Sequence, residues 1–422
     1  MSSSDWPDWA ARGNAHIWLP YTQMQTAPAP LPVRRTEGTR IVLEDGRALI
    51  DGIASWWTAV HGYNHPHIRQ AVERQLARMP HVMFGGLVHE PALSLAERLA
   101  RLLPGDLARV FFAESGSVSV EVAMKMAAQY WLNQGERRPK YLFFRYGYHG
   151  DTFATMAVCD PEEGMHARFA GFLAEHVMAE LPSDAEKAEA FESLLSRHAH
   201  ALAAVIIEPL VQGAGGMRFH APEVLAAVAA AARRHDVLLI ADEIFTGFGR
   251  TGSLFACEQA GVVPDIVTLS KALTGGTAPL SAAVARESVF EAFLGDEPER
   301  ALMHGPTYMA HALGCAAANA SLDLFEREDR LGQAAALEAQ MREELAPCRD
   351  FDAVADVRVK GAIGVVELNR TVDVQALRDA FVARGAWIRP LGRVIYLTPA
   401  LVMEPRDLSR LTGAVCEIAA RL

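Results

Sequence analysis

From about residue 61 onward, apolar residues recur either at a helical spacing of three to four or in short unbroken runs. The helical spacing predicts amphipathic helices over His65–Met79, Pro91–Leu103, Val118–Leu132 and Pro222–His235. The unbroken runs predict buried strands at Arg109–Ala113, Tyr141–Phe144, Leu202–Ile207, Val237–Asp242 and Val263–Ser270. Strands that are apolar on both faces and alternate with helices are typical of a mainly parallel sheet covered by helices. We therefore expect an α/β fold.

The two ends of the chain have a different pattern. Residues 1–60 are rich in proline and tryptophan and contain a strand-like run at Thr39–Leu43, while residues 315–422 combine long helices with short strands such as Val394–Leu397. Mixed short strands and helices are typical of an α+β unit. We predict a large α/β domain over 61–314 and a small α+β domain built from both chain ends.

Composition narrows the class of protein. The chain has 422 residues, 50% of them hydrophobic, which is enough for a large core. A net charge of −11 without a lysine or arginine run argues against a nucleic-acid or anionic-membrane partner. The apolar stretches are too short to span a bilayer, and the N-terminus lacks the basic and apolar regions of a secretory signal. The five cysteines show neither a C-x-x-C pair nor metal-ligand spacing, so we expect buried thiols, no metal and a cytoplasmic enzyme.

Lys271 is the main candidate for chemistry. It follows an apolar run and precedes a glycine-rich segment, Thr274–Pro279. Desolvation at a strand end lowers the pKa of an ammonium group, and a neutral lysine condenses with aldehydes. The preceding strand ends in Asp242 and Glu243. Pyridoxal 5′-phosphate (PLP) requires such a pair, an amine for its aldehyde and a carboxylate for its pyridine nitrogen. A lone strand-end lysine is more often a solvated cap, but the acid-bearing strand favours catalysis.

Other polar segments follow strands at the same predicted edge. Glu114–Ser117 begins a helix, so its backbone N–H groups are suited to a phosphate, although an ordinary helix cap fits equally well. Tyr148 is suited to stack on a planar ring, although packing is the commoner role for such a tyrosine. The Thr307 hydroxyl is suited either to a phosphate oxygen or to a helix cap.

Two segments, Ala241–Gly252 and Leu269–Gly276, resemble the class III aminotransferases of the fold-type I PLP family. The resemblance extends from Trp18 to Pro390. It implies a fold-type I architecture, PLP as cofactor, an aminotransferase activity with ping-pong kinetics, and a homodimer with shared active sites. Lys271 would be the Schiff-base lysine, and Asp242 would pair with the pyridine nitrogen.

The resemblance also implies further roles around the cofactor. Gly116 and Ser117 would hold the cofactor phosphate, and Tyr148 would stack on its ring. Pro306 and Thr307 would also contact the cofactor, with Thr307 reaching over from the second subunit. Phe245 departs from the pattern, because a glutamine that contacts the phenolic oxygen often stands there. That hydrogen bond would then come from elsewhere, with Gln212 as one candidate, or be absent.

The substrate contacts implied by the resemblance come from both chain ends. Tyr21 would be a catalytic residue, and the substrate-binding positions would be Trp56, Tyr148, Lys271, Gly305 and Arg389. The segments Ser55–Trp57 and Gly213–Met217 resemble members that move an amino group from S-adenosylmethionine to 7-keto-8-aminopelargonate in biotin biosynthesis. The donor rests on this resemblance alone.

Several alternatives remain open. An ω-aminotransferase for ornithine, 4-aminobutyrate or diamines, an aminomutase or a decarboxylase would share the fold and the cofactor. The adjacent Trp56 and Trp57 favour a large apolar substrate chain over these, although such a pair also arises from one core and one surface residue. A protein that only stores the cofactor would lack Lys271 or Asp242, and both are present.

Overall fold

The structure, a computed structural model, describes residues 6–162, 166–169 and 171–422. The prediction that the N-terminus is not a secretory signal falls partly on residues 1–5, which lie outside these ranges. The strands are β1 Val33–Glu37, β2 Arg40–Leu43, β3 Ala48–Asp51, β4 Leu107–Ala113, β5 Lys140–Phe144, β6 Val177–Ala179, β7 Leu202–Ile207, β8 Val211–Gln212, β9 Arg218–Phe219, β10 Leu238–Asp242, β11 Ile266–Leu269, β12 Ser281–Arg286, β13 Val354–Lys360, β14 Ile363–Leu368, β15 Ala386–Trp387 and β16 Val394–Leu397.

The helices separate these strands along the chain. They are α1 Asp8–Asn14, α2 Ala54–Trp57, α3 Pro66–Arg78, α4 Glu90–Leu102, α5 Gly116–Asn133, α6 Phe153–Met156, α7 Ala185–His198, α8 Pro222–Arg234, α9 Glu287–Glu291, α10 Ala312–Arg327, α11 Arg330–Glu344, α12 Val374–Ala383 and α13 Pro405–Ala419. The four helices predicted from apolar spacing are confirmed as α3, α4, α5 and α8, with ends that differ by at most two residues.

The largest sheet has seven strands in the order β4-β12-β11-β10-β7-β5-β6. Four of its six pairings are parallel, which confirms the mainly parallel sheet expected from the sequence. The exception is β12, which runs antiparallel to both β11 and β4 and was not among the predicted strands. Because β10 and β11 are parallel neighbours, with Asp242 beside Thr268, the chain brings Asp242 and Lys271 to one edge of the sheet.

Both faces of this sheet are buried. On one face, alternate strand residues such as Phe143, Ile206 and Ile240 pack with the apolar side of α5. On the other face, Phe144 and Leu239 belong to a second core that includes side chains of α4 and α8. Burial on both faces explains why these strands appear in the sequence as unbroken apolar runs rather than alternating ones.

The chain ends meet in smaller sheets beside the large one. The short strand β15 pairs in parallel with β3, which joins the N-terminal strands β1 to β3 to the C-terminal part in a four-stranded sheet, β1-β2-β3-β15. A separate antiparallel sheet, β13-β14-β16, lies in the C-terminal part of the chain. The division into domains at 60 and 314 stays a prediction.

Within the described ranges, helices long and apolar enough to cross a membrane are absent. All five cysteines are free, and four of them are buried. The sulfur atoms of Cys348 and Cys416 lie 3.0 Å apart, where α13 packs beside the turn after α11.

Candidate active site

A cavity of about 180 Å³ opens at the carboxyl ends of β10 and β11. It is lined by residues at or after the ends of four strands (β5, β7, β10 and β11), from the start of α5 and from α2, among them Trp57, Ser115, Gly116, Ser117, Tyr148, His149, Glu208, Asp242, Phe245 and Lys271. The sequence-predicted residues Lys271, Asp242, Gly116, Ser117 and Tyr148 are therefore brought together around one cavity.

One extended residue, Ser270, separates Lys271 from the end of β11. Lys271 itself has a left-handed backbone with φ of +48°. Removal of its ammonium group from water lowers the pKa of Lys271, while the carboxylates of Asp242, Glu208 and Asp151 oppose that shift. The amine lies 4.8 Å from the ring centroid of Trp57. In these surroundings the amine loses its proton more readily than the amine of a lysine in water, and the neutral form is the nucleophile.

Asp242 lies almost fully buried at the end of β10, and its carboxylate is held in one orientation. Its Oδ1 accepts hydrogen bonds from the Thr268 hydroxyl at 3.0 Å and from the Ile244 backbone N–H at 3.2 Å. Its Oδ2 accepts from His149 Nδ1 at 2.7 Å. A carboxylate fixed in this way, facing the cavity, is suited to hold a proton on a ring nitrogen.

The adjacent Glu243 has a different environment. It is fully buried, and its carboxylate accepts hydrogen bonds from the Thr246 hydroxyl and from the backbone N–H groups of Ala256 and Cys257. It does not line the cavity. The two carboxylates at the end of β10 are thus separated in position, Asp242 toward the cavity and Glu243 toward the scaffold.

Glu208 lines the cavity but was not singled out from the sequence. It follows β7, the strand beside β10, and its carboxylate accepts N–H groups from Tyr148 at 3.0 Å and Gly213 at 2.9 Å. Burial, with a contribution from Asp242, raises the pKa of Glu208 to about 7. Its position after a buried strand was the available signal, since other candidates follow neighbouring strands in the same way.

The start of α5 forms a cradle at one end of the cavity. Ser115 caps this 18-residue helix, and the Ser117 hydroxyl accepts the Asp151 N–H at 3.1 Å. A β-carbon on Gly150 would lie 2.3 Å from the Ser117 oxygen, so any residue larger than glycine at this position would clash with the hydroxyl. Backbone N–H groups and hydroxyls at a helix N-terminus suit a phosphate.

Aromatic rings form the walls of the cavity. Trp57 packs on Phe245 with ring centroids 4.3 Å apart, and Tyr148 lies on the lining as predicted. Phe245 is buried and offers no hydrogen bond. The Gln212 amide donates to the Arg145 carbonyl at 2.7 Å, and Gln212 is not among the lining residues. The contact suggested for Gln212 stays a prediction.

A carboxylate and two tyrosines stand at the mouth of the cavity. Asp151 accepts hydrogen bonds from Tyr21 and, at 2.9 Å, from Tyr148, whose hydroxyl lies 3.4 Å from that of Tyr21. His166 approaches the same carboxylate at 3.3 Å. Burial and the bond to Asp151 raise the pKa of Tyr21 to about 12, so its hydroxyl keeps its proton at neutral pH. Asp151 was not singled out from the sequence as a site residue.

Trp56 and Arg389 extend the group at the mouth beyond Tyr21. The Arg389 guanidinium carbon lies 4.3 Å from the Trp56 ring centroid, and Tyr21 meets Trp56 edge-on at 6.2 Å. Partial burial lowers the pKa of Arg389, although an arginine remains charged at neutral pH. The structure therefore connects Tyr21, Trp56 and Arg389, from opposite ends of the chain, with the cavity through Tyr148.

Three predicted residues lie elsewhere. Gly305 and Thr307 are exposed and Pro306 is partly exposed on the segment before α10, and none of the three lines the cavity of this chain. Met303 and Tyr308 in the same segment are also exposed, by 72% and 53%. A single chain does not bring this segment to its own cavity.

The residues around the cavity fit PLP by the chemistry of their groups. The amine of Lys271 matches the aldehyde, the fixed carboxylate of Asp242 matches the pyridine nitrogen, and the cradle at the start of α5 matches the phosphate. A β-carbon on Gly116 would lie 3.0 Å from Ile244, so a glycine keeps the cradle open. Among the described residues, clusters of histidine, cysteine and carboxylate side chains with metal-site geometry are absent.

Comparison with known proteins adds an independent observation. The model of the family described as aminotransferase class-III matches residues 21–418. A curated relative from Mycobacterium leprae, named adenosylmethionine-8-amino-7-oxononanoate aminotransferase, is 44% identical, and the match covers 96% of this chain and 95% of the relative.

Two solved structures extend the comparison to the fold. The adenosylmethionine-8-amino-7-oxononanoate aminotransferase from Methanocaldococcus jannaschii superposes with a TM-score of 0.93, at 31% identity over 98% of both chains. A thermostable (S)-enantioselective omega-transaminase from Thermomicrobium roseum superposes with a TM-score of 0.92, at 31% identity over 99% of this chain and 98% of that one. The fold expected from the sequence is confirmed.

Proposed function

This chain belongs to the class III aminotransferases, which are PLP-dependent, and we propose that it transfers an amino group from S-adenosylmethionine to 7-keto-8-aminopelargonate. The product would be 7,8-diaminopelargonate, a biotin precursor. The observation that carries this substrate pair is the nearly full-length similarity to relatives that share one name. The cavity and its mouth support the proposal with groups suited to each part of the chemistry.

The proton transfer is assigned to Lys271. Bound PLP supplies an electron-withdrawing ring, which accepts the electron pair left when a proton leaves the carbon that bears the donor's amino group. Lys271 Nζ takes that proton as general base and returns it as general acid. Desolvation lowers the pKa of Lys271, which favours the neutral amine that the first step needs.

Asp242 is assigned to hold the proton on the ring nitrogen. His149 and Thr268 each donate a hydrogen bond to its carboxylate, so the group is already oriented before any ligand binds. Because it lies out of contact with bulk water, its negative charge acts strongly on a neighbouring cation. His149 is a positioning residue in this scheme, since it acts through Asp242.

The mouth is assigned to substrate recognition. Both substrates carry a carboxylate, and the Arg389 guanidinium is suited to bind it with two parallel hydrogen bonds. S-adenosylmethionine also carries a positive sulfonium, and Asp151 places a carboxylate at the mouth between Tyr21 and Tyr148. The positive charge of Arg389 and the negative charge of Asp151 would together orient a zwitterionic donor.

We also propose that two copies form a homodimer in the cytoplasm. The exposed segment with Gly305, Pro306 and Thr307 supports this, because it does not line the cavity of its own chain and is free to reach the cavity of a second copy. Its exposed apolar neighbours Met303 and Tyr308 are suited to burial between subunits. Thr307 would then add a hydroxyl to the phosphate cradle of the other copy.

A donor screen tests the substrate assignment. The purified holoenzyme is incubated with 7-keto-8-aminopelargonate and, separately, S-adenosylmethionine, lysine, alanine or glutamate, and 7,8-diaminopelargonate is measured by mass spectrometry. We expect product with S-adenosylmethionine. Product only with lysine would correct the donor, and turnover of simple amines onto other acceptors alone would favour an ω-aminotransferase.

A further inference from the structure

The segment Ala54–Trp57 has an unusual backbone for residues other than glycine. Its four residues have φ values of +45°, +50°, +57° and +76° in chain order. The Trp57 N–H bonds to the Ile53 carbonyl at 2.8 Å and the Thr58 N–H bonds to the Ala54 carbonyl at 2.9 Å, so the segment is one turn of left-handed helix. Each L-residue here brings its β-carbon close to the next carbonyl, which is unfavourable. Such a turn persists only where its surroundings hold it.

The Thr58 hydroxyl donates to the Ser55 carbonyl at 3.0 Å, and one carboxylate binds the backbone N–H groups at the start of the turn. Asp51 is 1% exposed at the end of β3, and its Oδ1 accepts the Ile53 N–H at 2.9 Å. Its Oδ2 accepts the Ser55 N–H at 2.7 Å and the Tyr63 hydroxyl at 2.5 Å. The two backbone bonds join the residue before the turn to a residue inside it. The charge is kept buried at a cost, since burial raises the pKa of Asp51.

The turn delivers two indoles to two different basic side chains of the site. Trp57 is buried and lies 4.8 Å from Lys271 Nζ, whereas Trp56 is 37% exposed and lies 4.3 Å from the Arg389 guanidinium. A right-handed turn would advance around its axis in the opposite sense. It would not direct these neighbouring side chains to the same two partners. The hand of the turn therefore determines the positions of both tryptophans.

We infer that Asp51 is a positioning residue that holds the left-handed turn Ala54–Trp57, so that Trp57 lies against Lys271 and Trp56 against Arg389. This inference rests on the roles proposed for Lys271 and Arg389. Asp51 touches neither of them and acts through the turn. The alternative is that Asp51 only stabilises the fold, as a helix-capping carboxylate does.

The test compares Asp51→Asn with a matched control. An asparagine has one acceptor oxygen in place of two, so one backbone N–H loses its partner and the left-handed turn loses support. We expect KM for the carboxylate substrates to rise about tenfold, as for loss of a hydrogen bond to a charged group. The control is Asp373→Ala, because Asp373 also accepts two backbone N–H groups, at the start of α12, and alanine removes both bonds. It should lower Tm and leave KM unchanged.

Rescue by glycine separates positioning from general stability. Ser55→Gly should restore KM in the Asp51→Asn background, because glycine adopts a positive φ without the penalty. Near-ultraviolet circular dichroism of the cofactor-free protein should show the same loss and recovery of the tryptophan signal. This second reading does not depend on the reaction, so it distinguishes failure of this inference from failure of the proposed function.

Two results would overturn the inference. One is a wild-type KM and tryptophan signal in folded Asp51→Asn. The other is a double variant as impaired as the single one. If Asp51→Asn does not fold, Tyr63→Phe removes one of the three bonds to the carboxylate. It should then shift KM and the tryptophan signal in the same direction by a smaller factor, and no shift would also contradict the inference.

Discussion

The floor and the mouth of the cavity are built by different means. The floor, defined by Lys271, Asp242, His149 and Glu208, follows from neighbouring strand ends of the seven-stranded sheet. The mouth, defined by Tyr21, Trp56, Asp151 and Arg389, combines segments from both chain ends, including the left-handed turn, with the segment after β5. Its tyrosine and tryptophan are 51% and 37% exposed, whereas Asp242 is 3% exposed.

This difference separates the groups that carry out the chemistry from the groups that select the substrate. Groups on strand ends inside a packed core are held rigidly, as proton transfer requires. Groups at the mouth reach substrates from more exposed segments outside the sheet, where variation changes specificity while the scaffold stays the same. Changes at the floor should therefore lower the rate of the chemical step, and changes at the mouth should raise KM.

The largest effect is expected at Lys271. Lys271→Ala removes the proton carrier, and general acid–base catalysis alone contributes about a hundred- to ten-thousand-fold. Turnover should fall by at least that factor while the cofactor still binds through the remaining contacts. The control is Lys187→Ala, an exposed lysine on α7 that pairs with Asp184. Near-normal turnover of Lys271→Ala would remove this residue from the site.

Asp242, at the end of β10, and Glu243, which follows it, give the next test. Asp242→Asn keeps the shape but removes the charge beside the ring nitrogen, so the half-reaction should slow by orders of magnitude in a folded, cofactor-loaded protein. Glu243→Gln breaks buried hydrogen bonds and should lower Tm while activity per folded molecule is kept. Stopped-flow absorbance and thermal melting measure the two effects. The reverse pattern would mean that Glu243 is the catalytic carboxylate.

At the mouth, Arg389→Ala should act on binding. Loss of a charge-assisted bidentate contact costs on the order of 2–3 kcal/mol, which is roughly a hundredfold in affinity. KM should rise by about that factor for a carboxylate substrate, with the cofactor spectrum unchanged. Steady-state kinetics with each substrate varied in turn decide this. An unchanged KM for both would assign Arg389 to the scaffold.

The smallest effect concerns stability and pH. Burial raises the pKa of Glu208 to about 7 from the ordinary value of 4.5, so the folded protein holds this proton more tightly than the unfolded chain. The stability it contributes is fully present below pH 4.5 and is lost as the pH rises through about 7. Tm should decline across this window, and Glu208→Gln should flatten the decline. Identical pH profiles for both proteins would mean that Glu208 titrates normally.

The same contrast explains what the sequence could predict. The apolar runs predicted the large sheet and brought Lys271 and Asp242 to one edge, because parallel strands place their ends together. The antiparallel strand β12, by contrast, was not predicted. Tyr21 entered only through the family resemblance, and no local pattern joins it to Arg389, which lies 368 positions away. The left-handed turn was not predicted, because it depends on the tertiary contacts of Asp51.

The most direct measurement follows the cofactor absorbance of the holoenzyme through both half-reactions. The long-wavelength band is recorded after rapid mixing with S-adenosylmethionine, and again after 7-keto-8-aminopelargonate is added to the product-free enzyme. We expect the first substrate to abolish the band and the second to restore it. The rate constant of each change should reach a maximum at high substrate concentration, and Asp242→Asn should lower that maximum. A band that S-adenosylmethionine leaves unchanged, but that lysine or a simple amine abolishes, would contradict this expectation.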